Sequence, residues 1–136
     1  MFVTLFYALL DPVTRELTYV NGGHHPPLLC RIGQGELTQL ARTGMALGVI
    51  DDTAFAQETI HLELGDFLVL YTDGVTDATD IHGQSFGTQR LQRVILEHRE
   101  RPAGGVVTAL KEAIDDFVGA SAPYDDIAIL VVRCQR

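Results

Sequence analysis

The feature that most constrains the fold is an apolar segment, residues 67–71, which ends abruptly in Thr72-Asp73-Gly74. Apolar runs of this length that are bounded by turn residues are typical of buried strands. An ionised aspartate at the end of a buried strand is costly unless a partner compensates its charge. Because glycine lets the backbone turn without Cβ strain, Gly74 allows Asp73 to face a cleft.

A second acidic pair lies far away in the sequence. Asp125 and Asp126 directly precede residues 127–132, another apolar run that predicts a strand. Two strand ends that carry carboxylates predict one shared cation site, with Asp73, Asp125 and Asp126 as candidate metal ligands. Carboxylate oxygens suit hard cations such as Mg²⁺ and Mn²⁺. Each pattern alone is also typical of an ordinary turn, and that alternative stays open at this point.

The order of the predicted elements is many strands, two helices and one strand, which indicates an α+β fold with antiparallel sheet. The predicted strands cover residues 2–10, 17–21, 28–32, 36–40, 60–64, 67–71 and 127–132, and the predicted helices cover residues 88–101 and 107–118. Turn residues between the first two strands predict a hairpin. Gly65-Asp66 predicts that residues 60–64 and 67–71 also pair as antiparallel neighbours.

One segment between the predicted strands breaks the strand pattern. Gly22-Gly23-His24-His25-Pro26-Pro27 is typical of a rigid connection between strands. Alternatively, His24 or His25 contacts a phosphate group. Metal ligation by either histidine is a third interpretation and is less favoured than phosphate contact.

Composition narrows the classes of function. A hydrophobic content of 46% is enough for a packed core, and a net charge of −8 disfavours nucleic acid as a partner. Cys30 and Cys134 form no CxxC pattern, so zinc is not expected. The chain shows neither a signal-peptide pattern nor an apolar run of about 20 residues that could span a bilayer. We therefore expect a cytoplasmic protein that does not bind membranes.

Taken together, the motifs resemble those of a known family, the bacterial PPM-type (phosphatase 2C-like) serine/threonine phosphatases of the stage II sporulation protein E and RsbU type. The resemblance covers nearly the whole chain, with its segments in the expected order. The segments are residues 2–7, Leu17-Thr18-Tyr19-Val20-Asn21-Gly22-Gly23-His24-His25-Pro26-Pro27, Ala46-Leu47-Gly48, Gly65 to Ala78, Gly83-Gln84-Ser85-Phe86-Gly87 and Asp125-Asp126-Ile127-Ala128.

The resemblance implies two antiparallel sheets packed face to face, with helices on the outside. It implies hydrolysis of phosphoserine or phosphothreonine that depends on Mn²⁺ or Mg²⁺ in a two-metal site, with Asp73 and Asp125 as metal-binding catalytic residues and Asp126 as a neighbour that assists. It also implies a phosphorylated protein substrate, such as an anti-sigma-factor antagonist, and a sensor or response-regulator domain upstream.

The chain departs from the family pattern at its start. Family members usually carry an earlier Gly-Gly-Asp-x-x-Asp segment with further metal ligands, which would lie before Met1. Residues 1–136 are therefore expected to be the C-terminal portion of a single domain. Open sheet edges would then invite pairing with another chain, which makes a homodimer a candidate assembly. The alternative function is a regulatory or docking module with an incomplete metal site and no catalysis.

Overall fold

The computed structural model describes residues 1–121 and 125–135. Within these residues the chain forms seven strands and three helices. In chain order they are β1 (Leu5–Leu10), β2 (Glu16–Gly22), β3 (Leu28–Cys30), β4 (Leu37–Gln39), β5 (Glu58–His61), β6 (Phe67–Tyr71), α1 (Asp73–Asp77), α2 (Gly87–Glu97), α3 (Ala103–Val118) and β7 (Ile129–Arg133).

The strands form two antiparallel sheets. One has three strands in the order β1-β2-β5, and the other has four strands in the order β4-β3-β6-β7. The predicted hairpin is confirmed, since β1 and β2 pair from Leu5 opposite Gly22 to Leu10 opposite Leu17. Its turn is stabilised by the Asp11 carboxylate, which accepts hydrogen bonds from the backbone N–H groups of Val13 and Thr14.

The predicted pairing of residues 60–64 with 67–71 is wrong. β5 pairs with β2 in the three-stranded sheet, whereas β6 pairs with β3 and β7 in the other sheet. The chain crosses between the sheets at Gly65-Asp66, where the buried Asp66 carboxylate accepts hydrogen bonds from the backbone N–H groups of Ile32 and Glu63. The bond from Glu63 satisfies a backbone N–H of the crossing segment, and the bond from Ile32 ties this segment to the residues that follow β3.

Two apolar layers hold the sheets and helices together. The first lies between the sheets and contains Leu17 and Tyr19 from β2 facing Leu29 from β3 and Leu68 from β6. The second lies between the four-stranded sheet and the helices, and its buried members include residues of β3, β6, β7 and all three helices. The predicted α+β architecture, with packed antiparallel sheets and outer helices, is confirmed.

The two long helices lie close to their predicted positions. α3 starts before the predicted residue 107, directly after Pro102, whose fixed φ suits the start of a helix. It ends as predicted at Gly119, where φ is 55° and the backbone N–H donates to the Asp115 carbonyl. None of the helices in the described part of the chain is both long and apolar enough to cross a membrane.

The outer face of β1 carries an apolar stripe. Leu5, Tyr7 and Leu9 alternate along the strand and are exposed, whereas Phe6 and Ala8 between them pack into the layer that joins the sheets. β1 is also an edge strand of its sheet. Among the described residues, its outer backbone groups are therefore unpaired along most of the strand.

Candidate metal centre

The candidate centre lies where β6 ends and β7 begins. The two strands are antiparallel neighbours, with Tyr71 opposite Ile129. Beyond this pair, the Thr72 backbone N–H donates to the Ala128 carbonyl over 3.1 Å, and the Ala128 N–H donates to the Thr72 Oγ1 over 3.0 Å. The residues after β6 are thereby fixed beside the residues that lead into β7.

Gly74 explains how the two segments come so close. Its α-carbon packs against the backbone of Asp126, and a Cβ on Gly74 would lie only 2.5 Å from the Asp126 carbonyl oxygen. The sequence predicted that Gly74 serves a turn, but Asp73 and Gly74 instead begin the one-turn helix α1. Gly74 is therefore required by the close packing of two backbones and not by a left-handed conformation.

The three predicted acids line one cleft of about 540 Å³. Asp73 lies at the start of α1, and Asp125 and Asp126 lie on the approach to β7. All three are exposed. The complete lining consists of Thr72, Asp73, Gly74, Asp77, Ala78, Thr79, Asp125 and Asp126. The structure thus brings together the acids that the sequence selected, and their role as metal ligands stays a prediction.

His25 is the residue of this centre whose position the sequence did not reveal. Its Nε2 lies 3.4 Å from the Asp73 Oδ1. The pKa of Asp73 lies below its ordinary value, chiefly because the residue's own backbone N–H donates to the carboxylate, and the charge of His25 adds to this effect. The paired histidines after two glycines were the available signal, but only the fold shows which carboxylate His25 meets.

A network of hydrogen bonds fixes the turn that carries His25. The Asn21 side chain is fully buried, and its Oδ1 accepts from the His24 backbone N–H over 2.9 Å. The Arg42 Nε donates to the His24 carbonyl over 3.2 Å. The His24 Nδ1 lies 2.9 Å from the His25 carbonyl oxygen. Backbone and side chains together therefore hold this turn in one conformation.

The donor chemistry of the cleft fits a hard divalent cation. It offers exposed carboxylate oxygens, and Mg²⁺ commonly binds through one or two carboxylates while retaining several waters. In residues 1–121 and 125–135, however, no group of three or more His, Cys, Asp or Glu side chains is arranged to hold a metal ion. The described acids thus fit such an ion as a partial ligand set.

A family comparison identifies the chain. The model of the stage II sporulation protein E (SpoIIE) family matches residues 1–135. The chain belongs to the SpoIIE family. The resemblance to this family that the sequence motifs indicated is therefore confirmed.

Two relatives match along nearly the whole chain. The phosphoserine phosphatase RsbU of Bacillus subtilis is 31% identical over 136 residues, which cover 98% of this chain and 39% of RsbU. The protein IcfG of Synechocystis is 30% identical over 132 residues, which cover 97% of this chain and 20% of IcfG. The chain therefore spans well under half the length of either relative.

Solved structures confirm the SpoIIE-type fold. The SiaA-PP2C domain of Pseudomonas aeruginosa superposes with a TM-score of 0.82 at 24% identity, covering 96% of this chain and 51% of that one. The phosphatase domain of SpoIIE from Bacillus subtilis gives a TM-score of 0.71 at 16% identity, covering 97% of this chain and 56% of that one. At these identities the likeness shows the fold alone, and the chain spans about half of each structure.

Proposed function

We propose that this chain carries part of the active site of a metal-dependent protein serine/threonine phosphatase, a hydrolase of phosphoserine or phosphothreonine. The observation that carries the proposal is that Asp73 and Asp125, from distant parts of the sequence, line the same cleft. Membership of the SpoIIE family supports the choice of reaction, as does the relative RsbU, which is named a phosphoserine phosphatase.

In this proposal Asp73 and Asp125 bind Mn²⁺ or Mg²⁺, and Asp126 assists beside Asp125. Such ions, when bound in pairs, lower the pKa of a water and polarise a phosphoryl oxygen. The chain's own residues hold the carboxylates at fixed positions: the Thr72 and Ala128 bonds fix the two segments, and the glycine contact sets their separation. No protein nucleophile is needed.

The proposed substrate is a phosphorylated regulatory protein such as an anti-sigma-factor antagonist. Two relatives, RsbU and RsbP of Bacillus subtilis, are named phosphoserine phosphatases, and a similar structure from Mycobacterium tuberculosis contains RsbU and RsbW domains together. We further propose that the chain is the C-terminal portion of one phosphatase domain, that it acts in the cytoplasm, and that a sensor or response-regulator domain controls it.

The direct test is hydrolysis of a phosphoserine peptide by this polypeptide with Mn²⁺, beside a version extended at the N-terminus. We expect turnover by the extended version that a chelator abolishes and that Mn²⁺ restores. Absence of metal-dependent turnover from both polypeptides, each shown to be folded by circular dichroism, would contradict the proposal.

A non-catalytic regulatory or docking module is the second candidate. The observation that favours it is the partial ligand set within the described residues. Calorimetry with Mn²⁺ separates the two candidates, because an active phosphatase must bind the ion and a docking module need not. A folded, extended polypeptide that binds its phosphoprotein without binding Mn²⁺ would favour the docking module.

A further inference from the structure

We propose that His25 is a positioning residue that fixes the rotamer of the Asp73 carboxylate for metal binding. This inference rests on the proposed function, since it assumes that Asp73 is a metal ligand. It goes beyond that function because it assigns a task to a residue outside the acidic motifs. The task is to hold one carboxylate oxygen, Oδ1, so that the other faces the cleft.

The first support is the exposed position of the Asp73 carboxylate. Its side chain is 67% exposed, and it stands at the start of a helix of only five residues. Within the described part of the chain, His25 is the one basic side chain within 4 Å of this carboxylate, with its Nε2 3.4 Å from the Asp73 Oδ1. Without His25, the hydrogen bond from the residue's own backbone N–H would remain, but the contact of Oδ1 with the imidazole would be lost.

The second support is that the imidazole is itself held in place. The ring of His25 packs against the ring of Tyr71, with centroids 5.8 Å apart and an angle of 34° between the planes. Tyr71 is the last residue of β6 and is buried. The contact with Tyr71 therefore holds the His25 ring at the end of β6. Because Asp73 follows this strand end directly, the same element positions both side chains of the pair.

The third support is the rigid turn that supplies His25. The buried Asn21 side chain and the Arg42 guanidinium both bond to the backbone of His24. These contacts fix the backbone immediately before His25, and Pro26 restricts the backbone immediately after it. An imidazole on such a turn can act as an oriented donor at little entropic cost, because its Nε2 already lies beside the Asp73 Oδ1.

Residues that orient metal ligands in this way commonly change metal affinity by about 10–100-fold when they are replaced. Because the Asp73–His25 contact is partly exposed, we expect the low end of that range. Loss of the donor leaves the carboxylate chemically intact. The change should therefore appear in metal affinity and not in folding.

The test compares the Mn²⁺ affinity of His25→Leu, His25→Gln and the native sequence, all in the N-terminally extended polypeptide, by electron paramagnetic resonance at about pH 8, where free imidazole is mostly neutral. We expect His25→Leu to bind Mn²⁺ about 10-fold more weakly and His25→Gln, which keeps an N–H donor, to recover most of the loss. The matched control is His61→Leu, since His61 also faces a carboxylate, Glu63, at 3.7 Å but lies on β5. It should leave the affinity unchanged.

The outcomes separate this inference from the proposed function. If Asp73→Asn abolishes Mn²⁺ binding while His25→Leu binds like the native chain, the positioning role is overturned and the metal site stands. If Asp73→Asn has no effect, the metal site itself is wrong. Nitrogen NMR of the metal-free chain gives a second measurement: His25 should carry its proton on Nε2, and Asp73→Asn should shift that nitrogen. If the nitrogen chemical shifts of the His25 ring are the same in Asp73→Asn and in the native chain, the inference is overturned without any measurement of metal binding.

Discussion

The α-carbon of Gly74 packs directly against the carbonyl oxygen of Asp126, with no room for a side chain between them. This contact joins the start of α1 to the segment that enters β7. It therefore sets the separation between the Asp73 carboxylate and the two acids at positions 125 and 126. The width of the candidate metal centre depends on the absence of one methyl group.

Replacing Gly74 with alanine should open the centre. The new Cβ would lie 2.5 Å from the Asp126 oxygen, so the backbones must separate. We expect a loss of about 1–3 kcal/mol in the free energy of unfolding, by urea titration, together with weaker Mn²⁺ binding. Gly104→Ala is the matched control, because a Cβ there meets nothing within 4 Å and alanine favours the helix α3. Unchanged stability and affinity in Gly74→Ala would contradict this account.

Replacing Asp73 with asparagine keeps the size of the side chain and removes its charge. We expect hydrolysis of a phosphoserine peptide with Mn²⁺ by the N-terminally extended chain to fall more than about 10-fold, because a ligand of the ion is lost. Steady-state kinetics at saturating Mn²⁺ provides the measurement. Asp116→Asn, on the exposed end of α3, removes the same charge away from the cleft and should not alter the rate. If Asp73→Asn hydrolyses the peptide at the native rate, Asp73 is not a metal ligand required for catalysis.

Asp66 should matter for stability and not for chemistry. Its buried carboxylate accepts hydrogen bonds from the Arg31 Nη1 and from two backbone N–H groups, each over 2.9 Å. Asp66→Asn replaces one acceptor with a donor, and we expect a loss of about 2–3 kcal/mol in the free energy of unfolding. Glu63→Gln, at an exposed neighbour, should cost little. A native-like denaturation midpoint for Asp66→Asn would show that the crossing between the sheets does not depend on this carboxylate.

Local sequence patterns were sufficient to predict several elements of the fold. The apolar run at residues 67–71 predicted β6 correctly, because burial on both faces leaves a continuous apolar signal. The acids predicted from strand ends do line one cleft, because β6 and β7 are neighbours in one sheet. Helical periodicity also located α2 and α3 to within a few residues.

Long-range contacts account for what the sequence could not reveal. Gly65-Asp66 looks like a hairpin turn locally, but its bonds to Ile32 and Cys134, which are distant in sequence, hold it as a crossing between the sheets. The helix α1 has five residues, which is too short for a helical period to be visible. The contact of His25 with Asp73 joins segments that no spacing rule connects.

Three buried groups should make the protein less stable at high pH. Burial raises the pKa of the Cys30 thiol and of the Tyr19 and Tyr71 phenols above their ordinary values, and the charge of Glu58 adds to the effect at Tyr19. The unfolded chain therefore loses these protons first, so the free energy of unfolding should fall as the pH rises above the ordinary thiol value of 9.0.

Urea denaturation at a series of pH values measures this effect. We expect Cys30→Ala to be less stable at neutral pH because it leaves a cavity, yet to show a shallower decline above the thiol pKa. Cys134→Ala, at a partly exposed position, controls for the removal of a thiol. An identical decline in Cys30→Ala and the native chain would exclude Cys30 as a contributor.

The apolar stripe on β1 should cause the 136-residue polypeptide to self-associate. Leu9 is 62% exposed on an edge strand, and free strand edges with apolar faces pair readily with other chains. We expect Leu9→Lys to shift sedimentation velocity profiles toward the monomer, since a charge on an edge strand opposes pairing. Ile81→Lys, at an equally exposed position outside the sheets, is the control. A native chain that stays monomeric at high concentration would contradict the expectation.

The pairing of Tyr71 with Ile129 has a consequence for how this chain tolerates change in length. Deleting the exposed Ala128 would draw Asp125 along the strand by about 3.3 Å and turn the residues before it toward the opposite side of the sheet. A substitution near the acids leaves the register of β6 and β7 unchanged. A single deletion there would move Asp125 and Asp126 away from Asp73. Natural and engineered variants of this region should therefore differ in composition far more freely than in the number of residues between the acids and the final strand.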